Sequence, residues 1–220
     1  SAETRALYAQ AFDMPEEKIL LTGIPRIDAI LHAGEEENRA RLLDAYPALK
    51  EKKILLYVPT FRTAGLPDLD AMDACIDHDR YELVVKLHPL DAEKLRKQGK
   101  SFDRYPEIPT LRLMTVADAI ITDYSAISIE ASLLNRPVYF YLYDLSEYLT
   151  ERGLNFNPLT EMPDCAFCDF PSLFRRIDAG NYDFAALAAF RKRFVETCDT
   201  QNTERIVSLI FNHLEAPSLA

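Results

Sequence analysis

Three short stretches of the chain hold the residue types that recognise a phosphate. In "TDYSA" the hydroxyls of Thr122 and Ser125 flank Asp123 and Tyr124, and Ala126 follows with no bulk to keep a ligand from the backbone. In "PTFR" Thr60 precedes Arg62, and in "KLHP" Lys86 precedes His88 and Pro89. Each stretch follows an apolar run directly. A helix that starts at "TDYS" presents unpaired N–H groups and the positive end of its dipole, and an anion satisfies both. An arginine offers a planar fork to phosphate oxygens, and a histidine changes charge near neutral pH. Taken alone, "TDYS" reads more simply as a helix cap in which Ser125 or Asp123 bonds its own helix. The arrival of Arg62 and His88 at comparable places shifts the balance toward an anion site.

The elements that must position these residues follow from periodicity. Strands are expected at 18–23 ("KILLTG"), 53–59 ("KILLYVP"), 81–89 ("YELVVKLHP"), 118–122 ("DAIIT") and 137–143 ("PVYFYLY"). Helices are expected at 35–49, 69–76, 91–99 with Asp91 as N-cap, 110–117 and 125–135. Three further helical patterns, "PSLFRRID", "FAALAAFRKRFVET" and "TERIVSLIFNHL", close the chain. Continuous apolar strands separated by helices predict an α/β fold, a doubly wound parallel sheet of Rossmann-like character covered on both faces. Ligands of such sheets bind beyond the carboxyl ends of the strands, so "PTFR", "KLHP" and "TDYSA" are expected on one rim. The stretch 153–171, punctuated by Pro158, Pro163 and Pro171, reads as a lid or loop.

Composition narrows the function classes. The 220 residues are 48% hydrophobic, enough for a full core. A net charge of −10 argues against nucleic acid and against an anionic membrane surface, so an anionic ligand has to be held by a local site. The longest apolar runs are strand-sized, and no signal peptide is evident. The chain opens inside a helical pattern without a methionine, which points to a piece of a longer protein. Six glycines, none forming a Gly-rich turn after a strand, exclude a P-loop and a dinucleotide fingerprint. No His, Asp or Glu set has metal spacing, and no cofactor is implied. Cys165 and Cys168 form a lone Cys-x-x-Cys without a second ligand pair, and with Cys75 and Cys198 they read as packed thiols of a reducing compartment. His32, His78 and His213 read as surface or satisfied histidines. His88 differs because a strand delivers it and Pro89 fixes the chain direction after it.

The motifs "TGIPRIDAIL", "ILLYVPTFR", "VVKLHP", "ITDYSAISIEASLLNRPVYFYLYDLSEY", "ERGLNF" and "TERIVSLIF" resemble, in order and spacing, the CDP-glycerol glycerophosphotransferases of teichoic acid synthesis. The resemblance runs over residues 5–212. It implies the carboxy-terminal, nucleotide-binding half of a GT-B fold: one lobe over 1–220, with a lead-in strand and helices over 1–50 and a final helix over 196–220 that packs on a missing amino-terminal lobe. It implies that glycerol phosphate passes from CDP-glycerol, or a related CDP-polyol, to a teichoic acid chain or its lipid-linked primer, and that CMP leaves. It makes His88 the essential catalytic histidine and sets Arg62, Thr122, Asp123, Ser125 and Ala126 along the pyrophosphate. Thr60 and Lys86 beside them, and Glu130 one turn into the helix, join the candidate substrate-binding residues; for Glu130 a structural pairing is equally open. The parent enzyme is expected in the cytoplasm, peripheral at the inner face of a bacterial membrane.

Two departures from the family pattern bear on the site. Ala126 stands where a second small hydroxyl is usual, and "MPDCAFCD" (162–169) replaces the usual "PGP" loop. The "HGT" motif of the family's amino-terminal lobe does not occur here, so this chain alone is expected to bind donor and barely turn over. Two alternatives stand beside this reading: a nucleotide-sugar glycosyltransferase or epimerase lobe of the same fold, and a nucleotide-binding domain without catalysis.

Overall fold

The computed structural model describes residues 1–62, 65–154 and 156–215, with the side chains of 213–215 left aside. In chain order the elements are α1 (Ala2–Phe12), α2 (Pro25–His32), α3 (Glu35–Ala45), β1 (Lys53–Tyr57), α4 (Leu69–Ala74), β2 (Tyr81–Val85), α5 (Pro89–Lys97), α6 (Thr110–Val116), β3 (Ala119–Thr122), α7 (Ile127–Leu133), β4 (Val138–Tyr141), α8 (Leu145–Glu151), α9 (Pro158–Glu161), β5 (Ala166–Phe167), α10 (Phe170–Ala179), α11 (Phe184–Phe194) and α12 (Asn202–Glu215).

The five strands form one parallel sheet in the order β2-β1-β3-β4-β5. Ile54 to Tyr57, Tyr81 to Val85, Ala119 to Thr122 and Val138 to Tyr141 are all buried, as strands covered on both faces must be. Register brings Leu55 beside Leu83 on one side and Ala119 on the other. The chain runs from β1 outward to β2, then crosses back so that β3 lies on the far side of β1. That reversal is a topological switch point, the place where open α/β sheets leave a crevice at their carboxyl ends. The α/β, doubly wound parallel class expected from the sequence is the one observed.

The differences from expectation are local. No strand forms over 18–23: a 3-10 turn covers Glu16–Lys18, and Leu20 beyond it is exposed. An apolar run becomes a strand only where a neighbour offers a ladder, and this segment instead meets α12, where Arg205 Nε donates to the Thr22 carbonyl at 3.1 Å. Gly23 has φ +79°, and a Cβ there would lie 1.6 Å from Asn202 Oδ1, so the close approach requires glycine. The helix expected over 35–49 stops at Ala45 and resumes as a 3-10 turn at Pro47–Leu49, because the residue before a proline is driven out of the helical region. Within 153–171, Pro158 opens α9 and β5 adds a fifth strand by pairing with β4. The prolines there begin helical turns rather than break structure, and two residues are too few for a periodic signal; Asn155 lies outside the described residues. The N-cap of α5 is His88, not Asp91, since Pro89 takes the first helical position.

Two features of the core carry expectations. Tyr57 is fully buried, and its hydroxyl has no hydrogen-bond partner among the described residues. An unsatisfied buried polar group costs about 1–3 kcal/mol, so Tyr57→Phe is expected to leave stability unchanged or raise it by about 1 kcal/mol in denaturant titration. The second feature is the seat of α12. The Asp28 carboxylate accepts from the backbone N–H and side chain of both Asn202 (3.1 and 2.6 Å) and Thr203 (2.8 and 2.6 Å). Burial pushes the Asp28 carboxyl up, but the bonds from Thr203 and Asn202 outweigh it and hold the group well below the usual carboxylate range. A depressed carboxyl contributes stability above its unfolded pKa and loses it as pH falls through the folded one. Acid titration of stability is therefore expected to be steeper below about pH 4 in the parent protein than in Asp28→Asn.

Candidate functional site

The carboxyl ends of β2, β1, β3 and β4 deliver four polar groups to one rim. After β1 come Thr60, Phe61 and Arg62; after β3 come Asp123, Tyr124 and Ser125; after β4 comes Asp144; after β2 come Lys86 and His88. At the switch point, hydrogen bonds tie the segment after β1 to the segment after β3. Thr60 N donates to Asp123 Oδ2 at 2.8 Å, and Thr60 Oγ1 donates to Oδ1 at 2.5 Å. Thr122 Oγ1 donates to the Val58 carbonyl at 2.7 Å.

Arg62 is the centre of this arrangement. Its side chain is 5% exposed, and all three guanidinium nitrogens have partners inside the protein. Nε donates to Asp144 Oδ2 at 2.5 Å, one terminal nitrogen to Asp123 Oδ2 at 2.7 Å, and the other to the carbonyls of Thr60 and Phe61. Burial alone would lower the Arg62 pKa, but the carboxylates of Asp123 and Asp144 outweigh it and keep the guanidinium charged. Asp123 is fully buried, and desolvation pushes its carboxyl up against the pull of Arg62. The guanidinium carbon lies 5.0 Å from the Tyr124 ring centroid and 4.9 Å from that of Tyr148, within cation–π range.

The sequence-predicted residues thus divide by their surroundings. Arg62, Lys86, Thr122 and Asp123 are buried and bonded within the chain; Lys86 Nζ donates to Asp103 Oδ2 at 2.8 Å and to the Tyr105 carbonyl at 2.5 Å. His88 and Ala126 are exposed, and Thr60, Ser125 and Glu130 are half-buried. His88 Nδ1 accepts the Leu90 N–H at 3.3 Å, so the neutral ring carries its proton on Nε2. Its ring centroid is 5.4 Å from that of Phe61. Ser125 Oγ accepts the Ile127 N–H at 3.3 Å, a local cap that leaves the hydroxyl hydrogen free to donate elsewhere. With β1 between them, His88 and Ser125 rise from strand ends about 10 Å apart.

Two cavities adjoin the start of α7. One, of about 670 Å³, has Tyr124, Ser125, Ala126, Tyr148 and Gly153 among its walls. The other, of about 430 Å³, lies between α1, α2 and α7 and is lined in part by Arg26, Ala126 and Glu130. Arg26 Nε donates to Glu130 Oε1 at 2.6 Å, while Glu130 Oε2 has no hydrogen-bond partner among the described residues. Among the described residues no group of three His, Cys, Asp or Glu side chains is placed to hold a metal ion. Cys165 is buried, with its thiol pushed up to about 11 by desolvation, whereas Cys168 is exposed.

Sequence reasoning does not reach Asp144 or Tyr148, and it gives Asp91 only the role of a cap. Asp144 was within reach: it follows β4 in "YLYD" as Arg62 follows β1, and the strand-end rule applies to the fourth strand as well as to the first three. Asp91 was read as a cap, yet its carboxylate turns inward and accepts from Arg62 N at 3.3 Å.

The model of the family described as CDP-glycerol:poly(glycerophosphate) glycerophosphotransferase matches residues 1–212. A teichoic acid ribitol-phosphate primase of Bacillus spizizenii is 35% identical over 222 residues, covering 94% of this chain and 56% of that protein. A teichoic acid glycerol-phosphate primase of Bacillus subtilis is 29% identical over 222 residues, covering 96% of this chain and 56% of that protein. A solved structure of a variant of the wall teichoic acid polymerase TagF, soaked with CDPG, shares the fold with a TM-score of 0.75 at 24% identity, covering 99% of this chain and 56% of that one. The chain spans about half the length of these curated relatives.

Proposed function

Because the chain belongs to the CDP-glycerol:poly(glycerophosphate) glycerophosphotransferase family, we propose that it forms the donor-binding part of an enzyme that moves a polyol phosphate from a CDP-polyol to a teichoic acid chain or its lipid-linked primer. The acceptor hydroxyl attacks the β-phosphorus in line, and CMP leaves. Such a reaction needs positioning and charge stabilisation more than covalent help. The observation that carries this reading is the rim itself. A framework of internally paired residues holds exposed His88 at one strand end and half-buried Ser125, beside a cavity of about 670 Å³, at another.

In this reading His88 donates through Nε2 to the phosphate, either as a cation or as the acid that protonates departing CMP. Ser125 donates its free hydroxyl hydrogen, and Ala126 gives the phosphate room at the backbone. Glu130 pairs with Arg26, and its second carboxylate oxygen, without a partner among the described residues, is assigned to the nucleoside. Thr60, Arg62, Lys86, Thr122 and Asp123 act from behind, by fixing the loops that carry these groups. Residues 1–220 belong to one nucleotide-binding lobe, with 1–50 as its lead-in; the final helix, expected over 196–220, is α12 (Asn202–Glu215), and it packs on the half of the enzyme that this chain does not span, while 216–220 lie outside the described residues. No helix among the described residues is long and apolar enough to cross a membrane, and the enzyme works as a peripheral protein where its lipid-linked acceptor is found.

Primases for both glycerol and ribitol phosphate are similar to the chain, which supports a CDP-polyol as the donor class. A transfer assay tests the reading, using an enzyme that carries this chain together with the rest of its relatives' length. With CDP-glycerol or CDP-ribitol and a polyol-phosphate acceptor, CMP release is expected to match acceptor extension. Donor hydrolysis without extension, or transfer from a UDP-sugar in its place, would overturn it.

A further inference from the structure

The segment after β4 raises a question of stability. Helix α8 has seven residues, none of them buried, and among the described residues no side chain caps its start. A helix that short is unstable without tertiary contacts. Yet Tyr148 on α8, with Gly153 just beyond it, lines the cavity beside Ser125.

The contacts that hold α8 converge on Arg62. Asp144, immediately before the helix, receives the Arg62 Nε hydrogen at 2.5 Å and the Tyr124 hydroxyl at 3.4 Å. Tyr148, one turn on, stacks on Tyr124 with centroids 3.8 Å apart and planes 16° from parallel, and both rings lie against the guanidinium. Arg62 is anchored from the other side as well. Its N–H donates to Asp91 on α5, and its carbonyl accepts from Lys94 Nζ at 3.1 Å. With Asp123 it joins the carboxyl ends of β1, β3 and β4, with a backbone tie to the helix after β2. A guanidinium committed to two carboxylates, in contact with two rings, is in no position to grip a ligand phosphate.

We propose that Arg62 and Asp144 form a latch that fastens α8 over the donor rim, so that Arg62 is a positioning residue rather than a phosphate ligand. The latch builds the wall of the cavity in advance, and binding then does not have to order it. This rests on the donor-site reading above.

Asp144→Ala tests it, with Tyr148→Leu as a second variant that removes the ring and keeps the ion pair. Two measurements are made on each: amide hydrogen exchange across α8 and the sheet, and affinity for CMP and CDP-glycerol. Both variants are expected to exchange about tenfold or more faster in α8 with β1 and β3 unchanged, and to bind both nucleotides about tenfold or more weakly. Unchanged exchange in α8 would overturn the latch. Faster exchange with unchanged affinity would overturn the positioning role. Tighter binding of CDP-glycerol by Asp144→Ala would mean that the freed guanidinium is a phosphate ligand after all. If the parent protein binds neither nucleotide, the donor reading fails, and the exchange data still decide whether the latch exists.

Discussion

Arg62→Ala is expected to lower folding stability by about 3–5 kcal/mol, the cost of removing one partner from a buried ion pair. The reason is the pair of carboxylates left behind. Asp123 is fully buried and Asp144 nearly so, and both would lose their main cation. Arg62→Lys is expected to fall between the two, since a point charge cannot serve two carboxylates and two carbonyls as a planar fork does. Without Arg62 the buried Asp123 favours its protonated form still more, so the deficit relative to the parent is expected to narrow as the pH is lowered. Denaturant titration at neutral and mildly acid pH checks both points. A loss below about 1 kcal/mol would be the cost of an exposed pair and would remove Arg62 from the framework.

His88→Ala is expected to do the opposite. His88 is exposed, and among the described residues its contacts are one long hydrogen bond from Leu90 N and the neighbouring Phe61 ring. Its removal is expected to change stability by no more than about 0.5 kcal/mol, as is usual at a surface position. Turnover of the complete enzyme, in contrast, is expected to fall by about a hundredfold or more if His88 supplies the proton to departing CMP. Melting and turnover measured on the same variant separate the possibilities. A destabilised protein with turnover in proportion to its folded fraction would make His88 structural.

The contrast between Arg62 and His88 marks how far the sequence could be read. The sheet was legible because "KILLYVP", "YELVVKLHP" and "PVYFYLY" are continuous apolar runs bounded by prolines and polar residues, a pattern that buried parallel strands impose. The rim followed, since parallel strands put their ends on one side. What could not be read was which way each polar side chain turns. Thr122, Asp123 and Arg62 have the chemistry of phosphate ligands, but their partners are Val58, Thr60 and Asp144, and Asp144 lies 82 residues from Arg62 in the chain. A buried arginine and a ligand-binding arginine look alike until the carboxylates around them are located. Strand β5 escaped notice because two residues carry no period, and 18–23 misled because an apolar run does not reveal whether a neighbouring strand is present.

The central claim, that this chain holds a CDP-polyol at the switch point of its sheet, is tested most directly by calorimetric titration with CMP, CDP-glycerol and UDP-glucose. CMP and CDP-glycerol are expected to bind more tightly than UDP-glucose. Equal affinities for the three, or tighter binding of UDP-glucose, would contradict it.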